Sequence, residues 1–332
     1  MNIKTINTHI SRKRCPFDRV EKNELSFSLM DYRNGLFTSN DPKKVMEFYD
    51  GFENCGELIQ WMKERPRGAS YIHEVEGDKD IIVVIPTADF NGKYAVNCRE
   101  NIFRGLHMIF VESGEIPDPY FNGAHNVNIG VKRAMEYNPK WIVFSNDDMY
   151  KIDDVDVLKN HLHNIEEKNY NVAFTKPSEY HSTLSRIIEV NSFYNLFHLI
   201  TNYDAGRVRM KQYKKFNIDY TSMKSKYAPF FSFPRRGYKF IEALDFLILS
   251  HRLVEQTEGY IFDETYINGR EDVDLSLRIS LGGEKYAVID YRIGDYIGST
   301  IGINSNRWIR DVANLCYFNF KWRNDLQKII SS

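Results

Sequence analysis

The chain has 332 residues, 42% hydrophobic, 14% aromatic and 27% charged, which supplies a sizeable core and excludes a disordered chain. Its 44 Lys and Arg against 45 Asp and Glu leave a net charge of -1, so no global field draws it to nucleic acid or a membrane, and any anion site must be local. No run reaches the roughly 18 apolar residues of a spanning helix, and the polar N-terminal segment lacks the apolar centre of a signal peptide, so a cytoplasmic protein is expected. Cys15, Cys55, Cys98 and Cys316 stand far apart with no Cys-x-x-Cys pair. That spacing predicts four reduced cysteines rather than a disulfide scaffold or a zinc site.

Residues 1–79 carry no strong chemistry. Asn40-Asp41-Pro42 is a helix opening for a segment with apolar positions at Val45, Met46, Tyr49, Leu58, Ile59 and Met62, and Arg65-Pro66-Arg67-Gly68 ends it. The texture changes at Asp80. Ile81 to Ile85 is a continuous β-branched run closed by Pro86, the pattern of a strand buried on both faces. Met108 to Val111 and Trp141 to Ser145 repeat it, with helical spacing at Val127, Val131, Ala134 and Met135 between them, and Val172 to Phe174 adds a further stretch. The expected fold is therefore α/β, a single mostly parallel sheet flanked by helices. Regularity returns over 243–249 and around 252–256. Glu271 to Ile279 reads as a helix with acids in its first turn and Gly282-Gly283 as its stop, and 311–330 as a terminal helix.

Ligands of such sheets bind at the carboxyl ends of the strands, and polar residues gather there: Thr87 to Asp89, Glu112 to Gly114 and Asn146-Asp147-Asp148. An acidic motif directly after a buried strand offers hard oxygen ligands to a divalent cation holding a diphosphate. Acid pairs also cap turns, and Asp153, Asp154 and Asp156 follow closely. The second element is Glu271-Asp272, at the start of a helix and preceded by Gly259-Tyr260-Ile261-Phe262-Asp263-Glu264.

Over residues 80–302 these parts resemble the inverting nucleotide-sugar glycosyltransferases of family 2, which have the A-type glycosyltransferase fold. The resemblance rests on Val84-Ile85-Pro86-Thr87, Asn128-Ile129-Gly130, Asn146-Asp147-Asp148 as a variant Asp-x-Asp motif, Phe262-Asp263-Glu264, and Glu271-Asp272 with Arg278. It implies that Asp148 coordinates Mn²⁺ or Mg²⁺ with the donor's diphosphate, and that Asp272, with Glu271 beside it, takes the proton from the acceptor hydroxyl. It further implies nucleotide contacts from Thr87, Asp89, Glu112, Asn128 and Asp147, and a metal contact from Asp295, which stands where a His often does. The domains expected are an N-terminal, partly helical extension (1–79), a catalytic domain (80–302, with a nucleotide-sugar half 80–150 and an acceptor half 151–302) and a C-terminal helix (303–332). The partners implied are a nucleoside-diphosphate sugar and a glycan, lipid-linked or protein acceptor, with no nucleic acid.

Departures from the family pattern leave alternatives. A single strand, Met108 to Val111, precedes the acidic motif where the family has two. Glu112 is either the base- or ribose-contacting acid or a residue of another strand. An Arg usually precedes the Asn-x-Gly element, but Val127 stands there, leaving Lys132, Arg133 or His125 for a phosphate. Asp89 and Asn91 equally suit a plain Asp-Phe-Asn-Gly turn. Between Ala205 and Phe240, basic residues greatly outnumber acids and are interleaved with aromatics, which suits peripheral contact with the inner face of a membrane. Competing functions are a sugar-phosphate nucleotidyltransferase, whose Gly- and Arg-rich phosphate loop 88–93 matches poorly, and a catalytically inactive nucleotide-sugar or glycan-binding module of the same fold.

Overall fold

The structure, a computed structural model, describes residues 3–6, 24–113, 122–175, 185–189, 211–212, 214–216, 239–243, 245–296 and 305–331. Following helix α1 (Glu24–Thr38), Asp41 and Asn54 open two helices where the apolar spacing of 45–62 suggested one. Asp41 accepts from the Lys43 amide with Pro42 at the first helical position, giving α2 (Pro42–Asp50), and Asn54 accepts from the Glu57 amide, giving α3 (Cys55–Glu64). Strand β1 (Ile3–Ile6) pairs antiparallel with β2 (Ser70–Val75), which pairs antiparallel with β4 (Leu106–Ser113) on the far side of β3 (Asp78–Thr87). The edge of β4, where the sequence suggested a missing strand-helix unit, is thus covered by a strand from before β3.

The β-branched run falls in β3, where Ile82 to Ile85 are fully buried. Short helix α4 (Lys93–Asn97) continues as a π turn, Cys98–Ile102, and leads to β4, while α5 (Gly123–Met135) leads from β4 to β5 (Trp141–Ser145). After β6 (Met149–Lys151), α6 (Val155–Glu166) leads to β7 (Val172–Thr175), and a two-stranded sheet of β8 (Ser185–Glu189) and β9 (Lys239–Ala243) precedes β10 (Phe246–Ser250). Then come α7 (His251–Gln256), α8 (Glu271–Leu281), β11 (Tyr286–Ile289), β12 (Ile293–Asp295) and α9 (Ser305–Ser331).

The main sheet has eight strands in the order β1-β2-β4-β3-β5-β10-β7-β11. Strands β2 and β10 run against the rest, so the sheet is mixed. Side chains alternate between two layers. Ile82, Val84, Ile109, Val111 and Ile142 pack beneath α5, α7 and α8; Val83, Ile85, Met108, Phe110 and Val143 pack on α4, the π turn and α6. Gly130 allows α5 to lie close to the sheet, because a Cβ there would stand 2.4 Å from Val84 Cγ1. A third core, around Val45, Phe48, Tyr49, Trp61 and Met62, joins α2 and α3 to α9 and to Val273 and Leu277 of α8.

Cys55 of α3 and Cys316 of α9 are disulfide-bonded across a separation of 261 residues, which corrects the expectation of four reduced cysteines. The spacing carried no sign of it, since the pairing depends on α9 folding back onto the N-terminal helices. Cys98 is free and buried. No helix among the described residues is long and apolar enough to cross a membrane. Most of 205–240 lies outside the described residues. Within it, Lys211 pairs with Asp50 at 3.1 Å, Lys215 donates to Tyr49 O at 2.7 Å, and Phe216 is buried against Tyr49.

Candidate active site

From β3 the chain steps to β4 on one side through α4, then crosses back through α5 on the opposite face to β5 on the other side. Such a reversal marks the carboxyl ends of β3 and β5 as the crevice where α/β sheets bind ligands. Thr87 ends β3, and Asp147 follows β5. The Thr87 hydroxyl donates to Asp147 Oδ2 at 2.7 Å across the crevice, with both residues buried. From the other side the Cys98 thiol donates to Asp147 O at 3.2 Å. Burial, then the Asp147 and Asp148 charges, push that thiol's pKa well up, so Cys98 stays protonated and unreactive.

Asp148 is 9% exposed and is tied through its backbone to the segment that carries Asp295. Strand β12 pairs antiparallel with β6, Asp295 opposite Met149, and the Tyr296 amide donates to Asp148 O at 2.8 Å. Gly294 is required there, because the Tyr150 ring occupies the place of a Cβ. The backbone thus joins two segments that lie far apart in sequence, with Asp295 one register place from Asp148. The neighbouring acids are engaged elsewhere: Asp154, at the start of α6, pairs with Lys151, and Asp153 accepts from the backbone and guanidinium of Arg292.

Glu112, at the end of β4, lies in register with Thr87 and accepts from His73 of β2 at 2.7 Å. The His73 ring stacks on Phe90 at 4.3 Å, and the Arg99 guanidinium covers Phe90 at 4.4 Å. Asp89 closes a turn, accepting from Asn91 N at 2.9 Å and, through its carbonyl, from Gly92 N at 3.0 Å, and it remains exposed beside Thr87. Tyr94 and Tyr150 both lie against Tyr296, at 6.0 and 5.1 Å, and Tyr296 is half exposed. His73 and this tyrosine group were missed in the sequence. The alternation of 70–75 could have flagged His73, but nothing local marks residues that meet only through the sheet.

Asn128 has another use. Its amide donates to Phe262 O at 2.8 Å and Glu264 at 3.0 Å and accepts from Phe262 N at 3.0 Å, so it is buried as a clamp rather than presented to a nucleotide. The substitutes for the missing Arg are also engaged elsewhere. His125 meets Glu264 at 2.9 Å, Lys132 lies over Tyr260, and Arg133 binds Glu74 at 2.6 Å.

Asn268 accepts from Gly123 N at the start of α5, which places the loop before α8 at the carboxyl-end side of the sheet. Glu271 and Asp272 open α8 right after this loop, in which Asn268 and Arg270 hold positive φ of 47° and 74°. Non-glycine residues in that region mark strain that the surroundings must impose. Burial pushes the Glu271 carboxyl up, and its Oε2 is buried without a hydrogen-bond partner. Asp272 Oδ1 accepts from Val273 N at 2.7 Å. The start of α8 is tied to the acidic motif indirectly: Asn146 bonds Asp245 at 2.7 Å, just after β9, and β9 packs along α8.

No family model and no curated protein matches the chain.

Among the described residues no three His, Cys, Asp or Glu side chains form a metal cluster. Mg²⁺ and Mn²⁺ at diphosphate sites need only one or two carboxylates, the remaining ligands being phosphate oxygens and water, and a carboxylate such as Asp148 at the end of β5 fits that donor set.

Proposed function

We propose that the chain is a metal-dependent inverting glycosyltransferase of the A-type fold, moving a sugar from a nucleoside-diphosphate sugar to an acceptor hydroxyl. The observation that carries this reading is the pair of buried carboxylates, Asp147 and Asp148, directly after β5, with Asp147 hydrogen-bonded to Thr87 at the end of β3. Buried carboxylates at that point make sense if a cation and a diphosphate share the site.

Asp148 and Asp295 would hold the cation. When bound, Mn²⁺ or Mg²⁺ supplies positive charge against the departing diphosphate. Thr87 holds the Asp147 carboxylate at the end of β3 by a hydrogen bond. Glu112, held by His73, faces the same end from β4 and suits a hydroxyl of the nucleoside. Asp272 accepts the proton of the acceptor hydroxyl as its oxygen bonds to the anomeric carbon and the bond to the diphosphate breaks. One displacement with no covalent intermediate inverts the anomeric centre.

Neither competing reading gains a specific observation. A nucleotidyltransferase would need a phosphate cradle after β3, where the chain forms a tight turn on Asp89. The test is a panel of nucleotide sugars, scored with and without Mn²⁺ for thermal stabilisation and hydrolysis, since a ligand that binds the folded state raises its stability by mass action. Metal-dependent stabilisation by one donor is expected. A flat response to the whole panel would overturn the reading.

A further inference from the structure

The 263–270 loop and the first turn of α8, which carries Glu271 and Asp272, are bonded to one helix. Four residues of α9 at helical spacing, Asp311, Asn314, Tyr317 and Lys321, share a face. Asp311 pairs with Arg270 at 3.1 Å. The Asn314 amide accepts from Ile267 N at 2.8 Å and donates to Ile267 O at 2.9 Å, clamping one peptide from both sides. Tyr317 donates to Asp263 at 2.7 Å. The Lys321 ammonium reaches Asp263 and Asp274, each at 2.8 Å. Trp322 Nε1 adds a bond to Asp274 at 2.8 Å, and Asp274, wholly buried two residues beyond Asp272, also takes Tyr266 OH and Arg278 Nε. Gly269 lies so close to α9 that a Cβ would stand 3.1 Å from the Asn314 amide.

The other side of α9 is gripped by the N-terminal helices. Tyr49 OH donates to Ile309 O at 2.8 Å and accepts from Ala313 N at 3.2 Å. Arg310 donates to Phe37 O at 2.6 Å and Ser39 O at 2.5 Å, and the Cys55–Cys316 bond completes the attachment. A left-handed Arg270 and a buried Asp274 carboxylate would not persist in a loop left to itself.

We propose that α9, held by the N-terminal helices, is the template that sets the shape of the 263–274 loop and so positions Asp272, with Asn314 and Lys321 as positioning residues. Helices α1 to α3 then serve the active site through α9. The catalytic part of this inference rests on Asp272 being the base.

The test compares Asn314→Ala, Lys321→Met and Lys321→Arg by amide hydrogen exchange and by transfer kinetics. Exchange over 263–274 should rise selectively in Asn314→Ala and Lys321→Met, with the sheet strands protected as before. The transfer kcat should fall tenfold or more while the donor KM stays within about twofold, and Lys321→Arg should recover much of the loss. Unchanged loop exchange, or kcat lost only in proportion to folded protein, overturns the template. Asp272→Asn separates the two ideas: if it transfers like the parent, the assignment of the base fails, while loop exchange still decides whether α9 templates the loop.

Discussion

Thr87 ends β3, Asp147 follows its parallel neighbour β5, and the two hydrogen-bond at 2.7 Å, so the acidic motif is oriented by the adjacent strand. Thr87→Val keeps the shape and removes the donor. It should leave Asp147 buried without its hydroxyl partner and weaken metal-dependent binding of a nucleoside diphosphate by about tenfold, as loss of one hydrogen bond to a charged group does. Asp148→Ala should abolish the metal dependence altogether with the fold retained. Isothermal calorimetry with a nucleoside diphosphate, with and without Mn²⁺, checks both. Unchanged metal-dependent affinity in Asp148→Ala refutes the metal role of this residue.

Much of this corner could be read from the chain because its signals are local. A β-branched run followed by polar residues marks a buried strand and its carboxyl end, and 81–87 and 141–148 fold accordingly. The pairing of the segments that carry Asp148 and Asp295 was not legible in the sequence, because β6 and β12 join residues well over a hundred positions apart, and three-residue strands leave no periodicity. Asn128 misled for a related reason: its position fits a ligand contact, but its amide is used up by Phe262 and Glu264, which only the fold brings near. Residues 1–79 looked chemically empty. Their part lies in His73, which holds Glu112, and in buried contacts with α9, none of which a motif announces.

Asp272→Asn preserves size and removes the proton acceptor. Turnover should fall by roughly two or more orders of magnitude with donor binding largely kept, and product NMR in the parent should show inversion at the anomeric carbon. The neighbouring acids are poor substitutes, since Asp263 and Asp274 are committed to Lys321. Near-normal transfer by the Asn variant would remove Asp272 from the mechanism.

With Cys55 bonded to Cys316, two of the four cysteines, Cys15 and Cys98, should titrate as thiols in denaturant before reduction and all four afterwards. Reduction, or Cys316→Ser, should cost about 2–5 kcal/mol of stability by freeing a long loop in the unfolded chain. Four thiols before reduction would mean that the bond does not form in solution.

The basic and aromatic segment 205–240 lies largely outside the described residues, but its charge makes a direct prediction. Binding to anionic vesicles should exceed binding to neutral ones at low salt and fall at high salt, at about 1 kcal/mol per basic residue near the surface. Co-sedimentation that is negligible on both vesicle types, with transfer unchanged in Arg235→Ala and Arg236→Ala, would point to a soluble acceptor.

Asp263 is the acid whose titration the α9 contacts should control. Burial pushes its carboxyl up, but Lys321, the Thr265 amide and Tyr317 outweigh burial and hold the pKa at about 2, against an ordinary value of 3.8. A carboxyl with a lowered pKa in the folded state stabilises the protein above the unfolded value, and the contribution is lost as pH falls from about 4 through about 2. The shift corresponds to about 2 kcal/mol. Asp263→Asn removes this titration and keeps the shape. The variant should therefore melt several degrees lower at pH 7, where the parent has the full benefit, and the gap should narrow from about pH 4 downward as the parent's own carboxylate protonates. Thermal unfolding of both proteins across that range checks the sign as well as the size. A gap that stays constant with pH would mean that Asp263 contributes through shape alone, and a gap that widens in acid would reverse the assigned direction of the shift.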